Sequence, residues 1–302
     1  GLEQDSVSNA LALEALAYGD LSLAMSVSVP LLVTQIISEH GSEEQKGELL
    51  PKLVNGSIFH VGLGINNALL STDPYQSSVT AEENGEEIIL NGSKTGVAFA
   101  NHANTFLISA SNESGECNLY FVNKDQEGVA LEDKEFMGLK GAPLSQINLS
   151  NCKINASQKL GGHNYSINYE LLIDSSRIGM SALALGVCQA VLDYVVPYTN
   201  ERVAFDEPIS NRQSVAFMVA DMAIETEALR LMIYKSAALK DLGEDFHKQA
   251  SLTYRFAAHH GMKIGTDGVQ LLGGHGFTHE HPVELWYRNL RAIGIFEGGA
   301  GV

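Results

Sequence analysis

Between Leu290 and Val302 the chain reads LRAIGIFEGGAGV, and Glu297 is the one carboxylate in that stretch. Leu290, Ala292, Ile293, Ile295 and Phe296 give it an apolar approach, and glycines follow it. Burial of an ionisable group costs so much that it persists where the group has a partner or a task. A carboxylate kept in a dry pocket has a raised pKa and suits general base work. Composition alone also fits a carboxylate at an exposed helix end before a glycine stop.

Three other sets of residues carry possible chemistry. In LIDSSRIGM, Asp174 and Arg177 stand three apart on a helical pattern. That spacing suits a surface ion pair worth about 0.3 kcal/mol, or a point at which an acidic protein receives an anionic ligand. Arg202 in ERVAF offers a forked donor to phosphate, and Gly273 and Gly274 in QLLGGHG let backbone N–H groups approach closely, although a glycine pair by itself is as readily a turn. His275, His279 and His281, with His259 and His260, invite a metal reading. No carboxylate or cysteine completes a ligand set, so no metal is expected.

Helices must position these groups. From Val7 to Val54 the pattern is helical, with Gly41 as a stop and Ser42 as an N-cap ahead of Glu43, Glu44 and Gln45, which fits two tightly joined helices. Short β-type runs follow, among them FHVGLGI, SSVTA, EEIILNGSK, TFLISA, NLYFV and SQINLS, and they read as an antiparallel sandwich or barrel. After Gly161–Asn164 three long helical segments return, suited to a bundle. The expected domains are 1–57, 58–157 and 158–302.

The 302 residues are 45% apolar, and 19 Lys and Arg stand against 36 Asp and Glu, a net charge of −17. No basic stripe exists for nucleic acid, so no nucleic-acid partner is expected. Cys117, Cys152 and Cys188 fit no CxxC spacing, against both a zinc ribbon and a disulfide scaffold. No membrane span is expected, and no targeting segment is visible at the N-terminus.

In this order, HGSEEQKGELLPKLVNG, EEIILNGSK, ERVAFDEPI, DGVQLLGGHGF and IFEGG resemble successive elements of the acyl-CoA dehydrogenase family along essentially the whole chain. The resemblance implies an α+β multidomain fold: an N-terminal helical domain, incomplete here, a middle antiparallel β-barrel and a C-terminal four-helix bundle. It also implies a dimer of dimers with shared flavin sites. Glu297 aligns with the family's catalytic base; some relatives carry the base where Ser176 stands here. Asp174 and Arg177 fall where the family contacts the acyl-CoA near its thioester. Arg202 and Gln270, with Gly273 and Gly274 and flanked by Phe205 and Gln213, fall where it holds the pyrophosphate and adenine of FAD across a dimer interface. Thr72, Val97 and Phe296 complete the expected cofactor contacts. The usual flavin loop is altered: its motif falls on residues 66–73, where Asp73 is kept and Thr72 replaces Ser, and the flavin-covering Trp-Ile-Thr falls on Gly96-Val97-Ala98. Gly299 and Ala204 likewise stand where the family has Thr.

The resemblance therefore implies an FAD-dependent acyl-CoA dehydrogenase. Glu297 would remove the α-proton, the β-carbon would deliver hydride to flavin N5, and the Glu297 N–H with a flavin hydroxyl would polarise the thioester carbonyl. Electrons would pass to an electron-transferring flavoprotein. The alternative is a non-catalytic or flavin-sharing subunit of a hetero-oligomer whose partner supplies the ring-binding loops; an oxidase of the same fold is a further option. A bacterial cytoplasm or mitochondrial matrix is the expected location.

Overall fold

The computed structural model describes residues 5–56, 58–68 and 73–297. Thr72 and Gly299 lie outside them.

Three helices open the chain, α1 (Ser6–Gly19), α2 (Leu21–His40) and α3 (Glu43–Asn55), where the sequence pattern suggested two. The added break is at Asp20, which leaves helical geometry and whose carboxylate accepts from Leu23 N at 2.8 Å, capping α2. Ser42 forms the expected N-cap as a full capping box with Gln45. Gln45 also ties α3 to the next domain, donating from Nε2 to Lys159 O at 2.8 Å and accepting from Gly161 N at 2.9 Å.

The middle of the chain forms a seven-stranded sheet of β1 (Val61–Gly64), β2 (Val79–Asn84), β3 (Glu87–Ala98), β4 (Thr105–Ser111), β5 (Cys117–Asn123), β6 (Val129–Lys134) and β7 (Leu144–Asn155). The order is β1-β4-β2-β3-β7-β6, with β5 on β4. Four junctions are antiparallel, whereas β1 runs parallel to β4 from the pair Val61 and Thr105, and β2 touches β4 in parallel at Thr80 and Ser111. Apolar runs report that a strand is buried, not the direction of its neighbour. Ile88, Leu90, Phe106, Ile108, Tyr120 and Val122 fill the sheet's own core.

Beyond the sheet stand α4 (Tyr169–Glu201), a small hairpin of β8 (Val203–Ala204) and β9 (Glu207–Pro208), α5 (Gln213–Asp241), α6 (His247–Leu272) and α7 (Val283–Ile293). α4 is the central rod, buried along Leu183, Leu185, Val187 and Val191. It crosses α1 so closely at Gly186 that a Cβ there would lie 2.2 Å from Glu14 O. By length and composition alone α2 and α4 would pass for membrane spans, although the apolar window of α4 is 72% buried inside the fold and that of α2 44%. Their composition follows from their place in the fold: one continuous apolar core joins α1, α2, the bundle, Ala98 and Leu144 of the sheet, and Phe99 just beyond β3.

Candidate active site

α7 ends at Ile293, and the chain turns through Gly294 to bring Glu297 beneath α4 and α6. Glu297 adopts φ +53°, a left-handed conformation that costs a non-glycine residue about 1–2 kcal/mol. Three side chains hold it there. Tyr254 on α6 shares its single hydroxyl proton between Ile293 O, at 2.5 Å, and Phe296 O. Arg177 on α4 donates from Nη2 to Glu297 O at 3.1 Å. Glu297 N in turn donates to Asn66 Oδ1 at 3.0 Å.

The carboxylate itself is less fully engaged than its backbone. Oε1 accepts from Ser176 Oγ at 2.9 Å, whereas Oε2 is buried without a hydrogen-bond partner among the described residues. With the residue 5% exposed, burial pushes the carboxyl pKa up to about 7, opposed by the Ser176 hydrogen bond and by the nearby Arg177 charge. A carboxyl with a pKa near 7 is suited to exchange a proton near neutral pH, and among the described residues one of its oxygens is uncommitted.

Asp174 and Arg177 do not form the ion pair that their spacing suggests. Arg177 Nη1 donates to Tyr75 OH at 2.8 Å and to Ser251 Oγ at 3.0 Å, and its guanidinium lies over the rings of Tyr75 and Tyr254 at 5.4 and 5.3 Å. Tyr75 OH passes its own proton to Asp174 Oδ1 at 3.2 Å, and His247 Nδ1 meets Asp174 Oδ2 at 2.9 Å. Asp174 has no exposed surface. Burial raises its pKa against its hydrogen bonds, and the Asp174 contact raises that of His247. Asp174 is thus an internal strut, linked to the Glu297 turn by way of Tyr75 and Arg177. Tyr75, Tyr254, Ser251, His247 and Asn66 escaped the reading of the sequence; only Asn66 carried a signal, being in the altered flavin loop.

The second set of expected residues lies at the far end of the bundle. Arg177 and Arg202 are both set by α4 but 25 positions apart, about 37 Å at 1.5 Å per residue. Arg202 caps that helix, its N–H donating to Tyr198 O at 2.9 Å. Tyr198 OH meets His275 Nδ1 at 2.9 Å, which joins the Arg202 end of α4 to the Gly273–Phe277 turn. Gln270 is exposed on the last turn of α6, and Gln213 opens α5. Phe205, 85% exposed with φ +58°, lies under the Arg212 guanidinium at 4.8 Å. His275 and His281 stack on one another, and Tyr194 OH meets His281 Nδ1 at 2.7 Å. Among the described residues no three His, Cys, Asp or Glu side chains converge as metal ligands.

These residues suit a dinucleotide in part. A Cβ on Gly273 or Gly274 would meet no heavy atom within 4 Å, so the turn leaves its backbone open to close approach by a phosphate. On the β side, Val97 is fully buried in the sheet core, which leaves its main chain as the part to offer. Gly96 has φ +63°, and a Cβ there would lie 2.8 Å from Cε1 of Phe296. Phe296, itself buried, thus provides the aromatic surface against the end of β3 where no side chain can grow from position 96.

The N-terminal, middle and C-terminal domain profiles of acyl-CoA dehydrogenase match residues 1–57, 69–152 and 168–302. The chain is 33% identical to a probable acyl-CoA dehydrogenase of Mycobacterium tuberculosis over 99% of its own length and 78% of that relative. It is 31% identical to the short/branched chain specific acyl-CoA dehydrogenase, mitochondrial, of Rattus norvegicus, covering 100% of this chain and 71% of the relative. Its fold matches glutaryl-CoA dehydrogenase of Mycobacterium smegmatis in complex with FADH2, with a TM-score of 0.88 at 26% identity over 99% of this chain and 77% of the other. Fold, site and sequence together define a flavoprotein oxidoreductase. The chain belongs to the acyl-CoA dehydrogenase family, whose enzymes use FAD in fatty acid metabolism.

Proposed function

We propose that this protein removes the α-proton of an acyl-CoA thioester through Glu297 and yields the trans-2-enoyl-CoA. The observation that supports this most is the carboxylate: dry, poised near neutral pH, and with Oε2 uncommitted while Oε1 is held by Ser176. Ser176 orients the carboxylate and steadies its charged form, while Arg177 and Tyr254 fix the main chain that carries it. Bound FAD would supply the acceptor for the hydride that leaves the β-carbon. The Glu297 N–H is the donor that would polarise the thioester carbonyl and so acidify the α-proton.

Arg202, Gln270, Gly273 and Gly274 would serve the cofactor's diphosphate and adenine. Their distance from the Glu297 end of α4 argues that they serve the neighbouring protomer's site, which makes the working unit a dimer, assembled as a dimer of dimers. An electron-transferring flavoprotein would reoxidise the cofactor, in a bacterial cytoplasm or a mitochondrial matrix. Anaerobic addition of straight-chain acyl-CoA to the purified yellow protein should bleach its visible flavin band, and Glu297→Gln should abolish bleaching with the flavin retained. A protein that is colourless alone and yellow only with a co-expressed paralogue would instead make it a flavin-sharing subunit.

A further inference from the structure

The Glu297 N–H is the donor that carbonyl polarisation requires, and it is already engaged by the side-chain carbonyl of Asn66 at 3.0 Å. Asn66 belongs to the loop where this chain departs from its family's flavin motif. Its own main chain is pinned: Asn66 O accepts from Thr95 N at 3.1 Å, the next residue bridges to Lys94, and Asn67 Oδ1 accepts from Ser78 N at 2.9 Å and from Lys94 Nζ at 2.9 Å. The loop cannot withdraw without breaking these contacts, so the amide can leave Glu297 by rotating its side chain. Gly96 puts no side chain beside the amide, where a Cβ would come within 3.8 Å, van der Waals contact, of Asn66 Nδ2.

We infer that Asn66 is a built-in competitor for the substrate carbonyl: its amide carbonyl occupies the Glu297 N–H in the free protein, and an acyl thioester must displace it to be polarised there. The inference rests on the acyl-thioester reading given above. An amide oxygen is a better hydrogen-bond acceptor than a thioester oxygen, so displacement is driven by the rest of the acyl-CoA. Asn66 thereby weakens binding of every acyl thioester by the same factor, without taking part in proton or hydride transfer.

The test compares Glu297→Gln holoprotein, which keeps the backbone N–H but does not consume the ligand, with the same protein carrying Asn66→Ala, using butyryl-CoA and octanoyl-CoA labelled with ¹³C at the carbonyl. Removal of the competitor should tighten binding two- to tenfold, the span that corresponds to one net hydrogen bond of about 0.5–1.5 kcal/mol. The infrared carbonyl band of the bound thioester should sit at the same lowered frequency in both proteins. Equal dissociation constants would overturn the inference while leaving the acyl-thioester reading intact; absence of binding by both proteins would overturn that reading and the inference with it. A second measurement needs no ligand: exchange of the Glu297 amide hydrogen should be faster in Asn66→Ala than in wild type, and an unchanged rate would show that the Asn66 bond is absent in solution. If Asn66→Ala does not fold, Asn66→Ser, too short to reach across, carries both comparisons.

Discussion

Arg177 grips Glu297 by its peptide carbonyl and not by its carboxylate. The guanidinium Nη2 stands 3.1 Å from Glu297 O, while the carboxylate answers to the hydroxyl of Ser176. This division of labour keeps a permanent cation close enough to fix the turn, yet it leaves burial as the larger influence on the acid. Replacement of Arg177 by Gln should leave Tyr75, Ser251 and the Glu297 carbonyl short of a donor, at about 1–3 kcal/mol for each buried group left unsatisfied. It should also raise the Glu297 pKa further. Urea denaturation and the pH dependence of flavin reduction measure the two effects separately.

If Glu297 is the base proposed above, the rate of flavin reduction at limiting acyl-CoA should rise with pH and level off above about 7, since a carboxyl accepts a proton only when ionised. In Ser176→Ala the hydroxyl that favours the ionised form is lost, so the midpoint should move upward with the flavin still bound. Stopped-flow reduction across pH 5.5–9 would report both midpoints; a midpoint that stays in place in the variant would remove Ser176 from this role.

Stability should carry the same signature with the opposite direction. The folded carboxyl holds its proton up to about 7 against the usual 4.5, so its favourable contribution is full below 4.5 and is lost as pH rises through about 7. The total is about 3 kcal/mol at most, at 1.36 kcal/mol for each pKa unit. Glu297→Gln removes the ionisation, so its melting temperature relative to wild type should be higher at pH 8 than at pH 5, as thermal melts of the two proteins would show.

Tyr254→Phe keeps the ring beneath Arg177 and deletes only the hydroxyl that closes the turn between Ile293 and Phe296. The expected cost is about 1–3 kcal/mol of stability, since two buried carbonyls lose their donor. Because the turn also presents Glu297, the rate of flavin reduction should fall at saturating acyl-CoA. Unchanged reduction with lowered stability would confine Tyr254 to a structural part.

The helix–sheet–helix order and the Ser42 cap were legible in the sequence because each depends on a local pattern. Strand β6, VALEDK, was not: it pairs only with β7, half of its residues face solvent, and just three of them are apolar. The Asp20 break escaped because the apolar residues run on through both flanking helices. The site shows the same divide. Glu297 stood in apolar company that fitted an exposed helix end as readily as a buried acid, and its burial is what the structure adds, whereas Tyr75, Ser251, Tyr254 and Asn66 act through hydrogen bonds to residues far away in sequence. Asp174 and Arg177 show how little spacing settles: of the two readings left open for them, the direct ion pair is absent, and Tyr75 links the two instead.

The contact between Gly96 and Phe296 also limits how this sequence can drift over evolutionary time. A bulkier residue cannot enter at 96 while an aromatic ring stands 2.8 Å from where its first side-chain carbon would be. The positive φ at 96 penalises the change further. Among descendants and close kin, the two positions should therefore covary, with an enlarged residue 96 accompanied by a smaller or repositioned residue 296, and lineages that keep Phe296 in this place should stay locked at glycine.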